Sequence, residues 1–245
     1  TLGCPCGIGP EVTRAALSKR SVQRALTPVV FGDAHHAARW RGAEFRAISA
    51  LPRADRAAGR PTVHSGRAQF EYLQAAIGYL QRQGAQGLCT APVSKEWISR
   101  AGLPFTGHTE VLAEAFGVEV MMLMAGPRLS VALATNHLPL ARVPRALSTR
   151  KLVAQLQLLA REFPTPTGAA PRIAVCGLNP HAGDGGVLGT EERRIIAPAV
   201  SRARALGIDC EGPLPADGLF ATAQRGFRYD VALAMFHDQG LVATK

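Results

Sequence analysis

Apolar and polar positions along this chain switch between two periods. Short apolar runs that suit buried strands alternate with stretches where apolar residues return every three or four positions, as on one helix face. "PVVFGD" (28–33) reads as a buried strand ending in Asp33, a residue placed to cap the next segment. "RAQFEYLQAAIGYLQRQG" (67–84) puts Phe70, Leu73, Ile77 and Leu80 on one helical face and stops at Gly84. "GLCTAPV" then predicts a strand. Across 120–135 two apolar runs flank Gly126, Pro127 and Arg128, the pattern of a hairpin. A helix from about Thr149 to Phe163, the strand "RIAVCGL", a helix opening at Thr190 and a last strand "YDVALAMF" follow. Thr190 is placed to cap its helix, Glu191 and Glu192 suit the positive helix end, and Pro198 is expected to kink it. Near the start, "GCPCGIGPEV" is a glycine turn entering a helix with Pro10 at its first position. Strands alternating with helices predict an α/β fold with a mostly parallel sheet, to which the hairpin adds one antiparallel element.

Sheets of this kind bind ligands beyond the carboxyl ends of their strands, and the polar motifs cluster there. His137 follows "SVALAT", His181 follows "RIAVCGL" and His237 follows "VALAMF". Neighbouring parallel strands would bring the three imidazoles to one sheet edge, where they could hold a divalent cation with positions left open. The three lie too far apart in the chain for a local signature such as HExxH, and three unrelated loop histidines fit the same pattern. In "PFTGHTE" (104–110), Thr106, His108 and Thr109 surround a glycine and precede a helix expected after Thr109. They could offer donors to an anion; a plain helix cap with a chance histidine fits as well. Lys95 in "TAPVSK" and the terminal Lys245 could add positive charge, or simply solvate the surface. The glycine turn does not complete GxGxxG. Cys4 and Cys6 suggest a metal or redox pair, but a disulfide across one residue is strained, which favours two structural thiols.

Composition narrows the function classes. A chain of 245 residues, 47% hydrophobic and 19% charged, can bury a sizeable core in one large α/β domain or in two lobes around a cleft. No apolar run approaches ~18 residues, so no membrane span is expected. The chain begins at Thr1 rather than Met, as if something has been trimmed or left out, so a missing signal segment carries no weight. The net charge is +10, but the arginines are scattered and aromatics are only 6%. That argues against a nucleic-acid partner and for an anionic small-molecule substrate or cofactor. Five cysteines without paired spacing suit a reducing cytoplasm, with Cys89 and Cys176 read as buried thiols in apolar runs.

Eight motifs in order, "GIGPEV", "TAPVSK", "PFTGHTE", "VALATNHLPL", "CGLNPHAGDGG", "GTEE", "GPLPAD" and "AMFHDQGL", resemble those of the 4-hydroxythreonine-4-phosphate dehydrogenase family over essentially the whole chain. The resemblance implies a fold like that of isopropylmalate and isocitrate dehydrogenases: two α/β lobes around a cleft, here 1–103 and 104–245, assembled as a homodimer with the active site at the subunit interface. It implies His137, His181 and His237 as metal ligands shared between subunits, and His108, Thr109 and Lys245 as substrate-binding residues. Lys95, Asp184 and Asp238 are candidates for catalysis, either behind the ligands or as proton carriers. The implied cofactors are NAD or NADP and a divalent ion, Zn²⁺, Mg²⁺ or Co²⁺.

The implied reaction belongs to vitamin B6 biosynthesis. A phosphorylated amino acid, 4-phosphooxy-L-threonine, is oxidised at its secondary alcohol to a β-keto acid that decarboxylates to 3-amino-2-oxopropyl phosphate. Cys4 departs from the family's usual acidic residue, and Cys6 stands where a small residue is usual. "GLVATK" departs from its apolar-proline stretch, and the family continues past Lys245 to complete the first lobe, so the chain as written is expected to need that remainder for activity. Related dehydrogenases that use sugar-acid phosphates or carboxylated cyclic dihydrodiols remain alternatives, as do a metal-dependent hydrolase or lyase and a binding protein without catalysis.

Overall fold

The computed structural model describes residues 1–40, 42–84, 87–223 and 226–244. The chain divides into two units, Thr1–Val120 and Met121–Lys245.

In the first unit, β1 (Val29–Asp33) pairs in parallel with β2 (Glu44–Ser49). Asp33 caps as expected, accepting the amide of His35 at 3.0 Å. It also accepts from the Leu51 amide and the Ser49 hydroxyl, with Arg56 nearby. Burial alone would raise the Asp33 pKa, but these donors outweigh it and hold the carboxyl below its usual range. The long helix runs Val63–Gln83, starting ahead of its apolar pattern because Thr62 and Ser65 cap each other reciprocally. One side packs Ala68, Tyr72 and Ala76 against Phe31. Another packs Leu73 and Ile77 against Ile98, Phe105 and Val111. The helix Lys95–Arg100 lies so close that a Cβ at Gly66 would overlap the Trp97 carbonyl. Phe105 and Val111 join this core, so segment 104–120, expected in the second lobe, packs within the first unit.

"GLCTAPV" is not a strand. It runs extended beside the N-terminal residues, with Thr1 donating to the Cys89 carbonyl, Ala91 to Thr1 and Cys4 to Pro92. Gly3 turns away at φ 64 and Pro92 has no N–H, so a regular ladder cannot continue. Leu88 packs on the core, which leaves its neighbour Cys89 on the opposite side, exposed rather than buried. Cys4 and Cys6 are buried free thiols, and Cys176 is buried as expected.

The second unit holds a five-stranded sheet of β3 (Leu123–Ala125), β4 (Ser130–Leu133), β5 (Ile173–Cys176), β6 (Cys210–Leu214) and β7 (Val231–Ala234), in the order β3-β4-β7-β5-β6. Among the described residues only the β3–β4 hairpin is antiparallel. The central strands are apolar on both faces, as a covered parallel sheet requires. Val231, Leu233 and Met235 face the helices Thr149–Glu162 and Ala197–Ala205. Ala232 and Ala234 face Leu219 and Leu241 from the helices Ala216–Thr222 and His237–Thr244. The helical run opens at Glu191, directly after Thr190, whose carbonyl accepts the Arg194 amide at 2.9 Å, although its hydroxyl makes no capping bond. Glu192–Ile196 forms a wide π turn within this run, and Pro198, which cannot donate to the preceding turn, follows it at the start of Ala197–Ala205. Among the described residues no helix is long and apolar enough to cross a membrane.

Candidate active site

The strand order places β4, β7 and β5 side by side, and these three strands lead into His137, His237 and His181. The rings of His137 and His237 lie 5.3 Å apart between centroids. His237 opens the helix His237–Thr244, and its Nδ1 is 2.7 Å from Asp238 Oδ1, which leaves Nε2 for a ligand. Two imidazoles at this spacing suit a zinc- or cobalt-like ion. Among the described residues, no group of three or more His, Cys, Asp or Glu gathers to hold a metal, so His181 does not complete a three-residue set with the pair.

His181 stands in an unusual backbone. Residues 181–185 make a turn of left-handed helix, with φ of 52, 51, 84, 42 and 65 at His181, Ala182, Gly183, Asp184 and Gly185. Three of the five carry a side chain, which together costs on the order of 4 kcal/mol. Glu192 offsets this cost. Its buried carboxylate accepts the amides of Leu178 and Asn179 at 2.8 and 2.7 Å and the Asn179 side-chain amide at 2.9 Å. A Cβ at Gly183 would lie 2.6 Å from that carboxylate, so the glycine serves both the backbone angle and the close approach. Burial alone would raise the Glu192 pKa, but these donors pull it below the ordinary range and the group stays ionised. Glu191 adds a second acceptor for the Asn179 side chain. The turn is exposed at His181 and Asp184, and Asp184 lies on the solvent side.

Two more side chains join the strand ends. Thr135 donates from its hydroxyl to the Met235 carbonyl at 2.8 Å, and Gln239 accepts the Met235 amide at 2.6 Å while donating to the Gly177 carbonyl at 2.7 Å.

A second polar corner belongs to the first unit. His108 opens the helix His108–Phe116, two residues before the expected start, behind an extended Gly107 with no side-chain cap. Its ring packs edge-on against Phe105, and its buried Nε2 has no hydrogen-bond partner. Burial, then the charge of Lys95, lowers its pKa and favours the neutral ring. Lys95 donates to the Thr106 carbonyl at 2.8 Å, and Thr109 is exposed in the first helical turn. Lys245 lies outside the described residues. Thr135, Asn179 and Gln239 fall inside the family motifs, but no residue pattern there marks them as functional. Each stands within a few residues of a strand end, and Glu192 reads in the sequence as a helix-end charge.

The family model for the pyridoxal phosphate biosynthetic protein PdxA matches residues 11–245. The chain is 41% identical to the 4-hydroxythreonine-4-phosphate dehydrogenase of Geobacter metallireducens, across 100% of this chain and 79% of that one. The crystal structure of a 4-hydroxythreonine-4-phosphate dehydrogenase from Burkholderia phymatum superposes with a TM-score of 0.80 at 32% identity, over 99% of this chain and 80% of that one. A terephthalate 1,2-cis-dihydrodiol dehydrogenase from Burkholderia xenovorans is more distant, with a TM-score of 0.70 at 26% identity over 100% and 80%. The chain belongs to the PdxA family of pyridoxal phosphate biosynthetic proteins, an α/β oxidoreductase of the dehydrogenase class.

Proposed function

We propose that the protein oxidises 4-phosphooxy-L-threonine at its secondary alcohol. The hydride passes to NAD or NADP and the hydroxyl proton leaves to solvent. The resulting β-keto acid loses CO₂ to give 3-amino-2-oxopropyl phosphate. The observation that carries the reading is the paired imidazoles of His137 and His237 at adjacent strand ends, with the strand leading to His181 next in order. Shared between two subunits, these three side chains would hold the divalent ion, whose positive charge, when it is bound, makes the alcohol easier to ionise.

The chain's own groups supply the rest. Asp238 fixes the tautomer and orientation of His237 through Nδ1. Neutral His108 keeps one ring nitrogen free for a substrate oxygen, and the adjacent helix N-terminus, the Thr109 hydroxyl and Lys95 suit a phosphate or carboxylate. Lys245 would add a further cation. A homodimer is part of this reading, because exposed Leu138, Leu140, Val187 and Leu188 follow His137 and His181 in the chain and are apolar surface suited to a subunit contact.

Reduced nicotinamide formed from 4-phosphooxy-L-threonine is the direct assay. Chelation is expected to abolish turnover, added Zn²⁺, Co²⁺ or Mg²⁺ to restore it, and His237→Ala to lower kcat/KM by about 1,000-fold. Turnover of a carboxylated dihydrodiol or a sugar-acid phosphate in its place would overturn the substrate, and turnover without nicotinamide would overturn the reaction class.

A further inference from the structure

The helix Lys95–Arg100 has six residues, and a helix that short is held only by what it packs on. Its N-cap, Ser94, makes no side-chain capping bond. A side chain from the long helix fixes its start instead. Gln69, 1% exposed, accepts the Ser94 amide at 2.7 Å on its carbonyl oxygen and donates from its nitrogen to the Ser65 carbonyl at 2.9 Å. At the other end, Arg67 donates to the carbonyl of Ala101, the residue after the short helix, at 3.3 Å. Packing alone does not call for an amide at position 69. One and two turns on, Leu73 and Ile77 meet Ile98 of the same short helix through apolar contacts only. A buried amide costs free energy that an aliphatic side chain avoids, so its use is in the bonds it makes.

The residue directly after Ser94 is Lys95. Its ammonium group donates to the Thr106 carbonyl, two residues before His108, and its charge reaches the His108 ring. We propose that Gln69 is a positioning residue, which fixes the start of the short helix so that Lys95 stands beside His108 and the corner fits an oxyanion of the substrate. The inference rests on the reading of that corner as part of the substrate site. Gln69 acts through the backbone of Ser94 and touches nothing that reacts. Without its oxygen the Ser94 amide loses its partner and regains one only by turning, and Lys95 turns with it.

Two measurements on the active protein test this. The first is the pH titration of the His108 ring by proton NMR, its signal assigned by its loss in His108→Gln. The second is the KM for 4-phosphooxy-L-threonine. Gln69→Met keeps the shape and loses both bonds. It is expected to move the His108 titration upward, in the direction of Lys95→Met, because the same positive charge has left the ring. It is also expected to raise KM by about 10-fold while kcat stays within about twofold, the pattern of lost binding rather than lost chemistry. Gln69→Glu, which can still accept the Ser94 amide, should lie close to wild type in both. If Gln69→Met does not fold, Gln69→Asn, one methylene too short to span both partners, should give the same two shifts. A His108 titration unmoved in these variants would overturn the positioning role, whatever happens to melting temperature or KM. A titration that moves while KM stays at the wild-type value, in Gln69→Met and Lys95→Met alike, would show that the corner does not bind substrate, and the inference falls with that reading.

Discussion

The two polar corners are built in opposite ways. Around His181 the backbone is strained through a left-handed turn, and Glu192 collects the donors that hold it. Around His108 the backbone is ordinary, and a buried ring nitrogen is left without a partner. Strain persists only where surrounding bonds over-determine it, so the first corner marks something that must be held in place. An unpaired buried nitrogen is costly until something fills it, so the second marks something to be bound.

The largest test of this contrast is Glu192→Ala. It strands two backbone amides and is expected to cost about 3 kcal/mol in urea denaturation. A cost near that of an ordinary surface change would mean that the turn holds itself. Next in size is Ala182→Gly, which relieves one left-handed residue and should stabilise the protein by about 1 kcal/mol in the same assay. A destabilised variant would remove the case for strain.

The smallest effect is in pH, and it separates the corners by window. The folded value of His108 lies below 6.5, so as pH falls through 6.5 the unfolded chain takes up the proton first and stability declines. Glu192 is also depressed, and its stabilisation, complete above 4.5, is lost as pH falls from there through its folded value. His108→Gln should flatten only the upper window of a stability-against-pH profile. A flattening that extends below it would mean that the corners are coupled.

How much of the molecule is legible in the chain depends on the range of the forces involved. The hairpin, the buried strands and the Leu73–Ile77 helix face are local patterns, and they fold as patterned. The approach of His137 to His237 is legible because both come after apolar runs that can only pair in a covered sheet. The left-handed angle at Ala182 is not legible, since alanine does not favour it and the stabilising carboxylate comes ten residues later. Glu192 has the right charge for a helix start, and only the fold reveals that it points into the preceding turn. "GLCTAPV" has the composition of a strand, and its neighbour's glycine turn and its own proline prevent the ladder.

Gly66 shows how far the placement of a charged group can depend on a missing atom. Its bare α-carbon lets the long helix touch the Trp97 carbonyl, and Trp97 sits in the first turn of the helix that begins with Lys95. Any larger residue at that position would wedge the two helices apart, carrying the lysine away from Thr106 and the entrance of the His108 helix. Thus a residue with no chemistry of its own, twenty-nine positions upstream, governs where that ammonium group comes to rest.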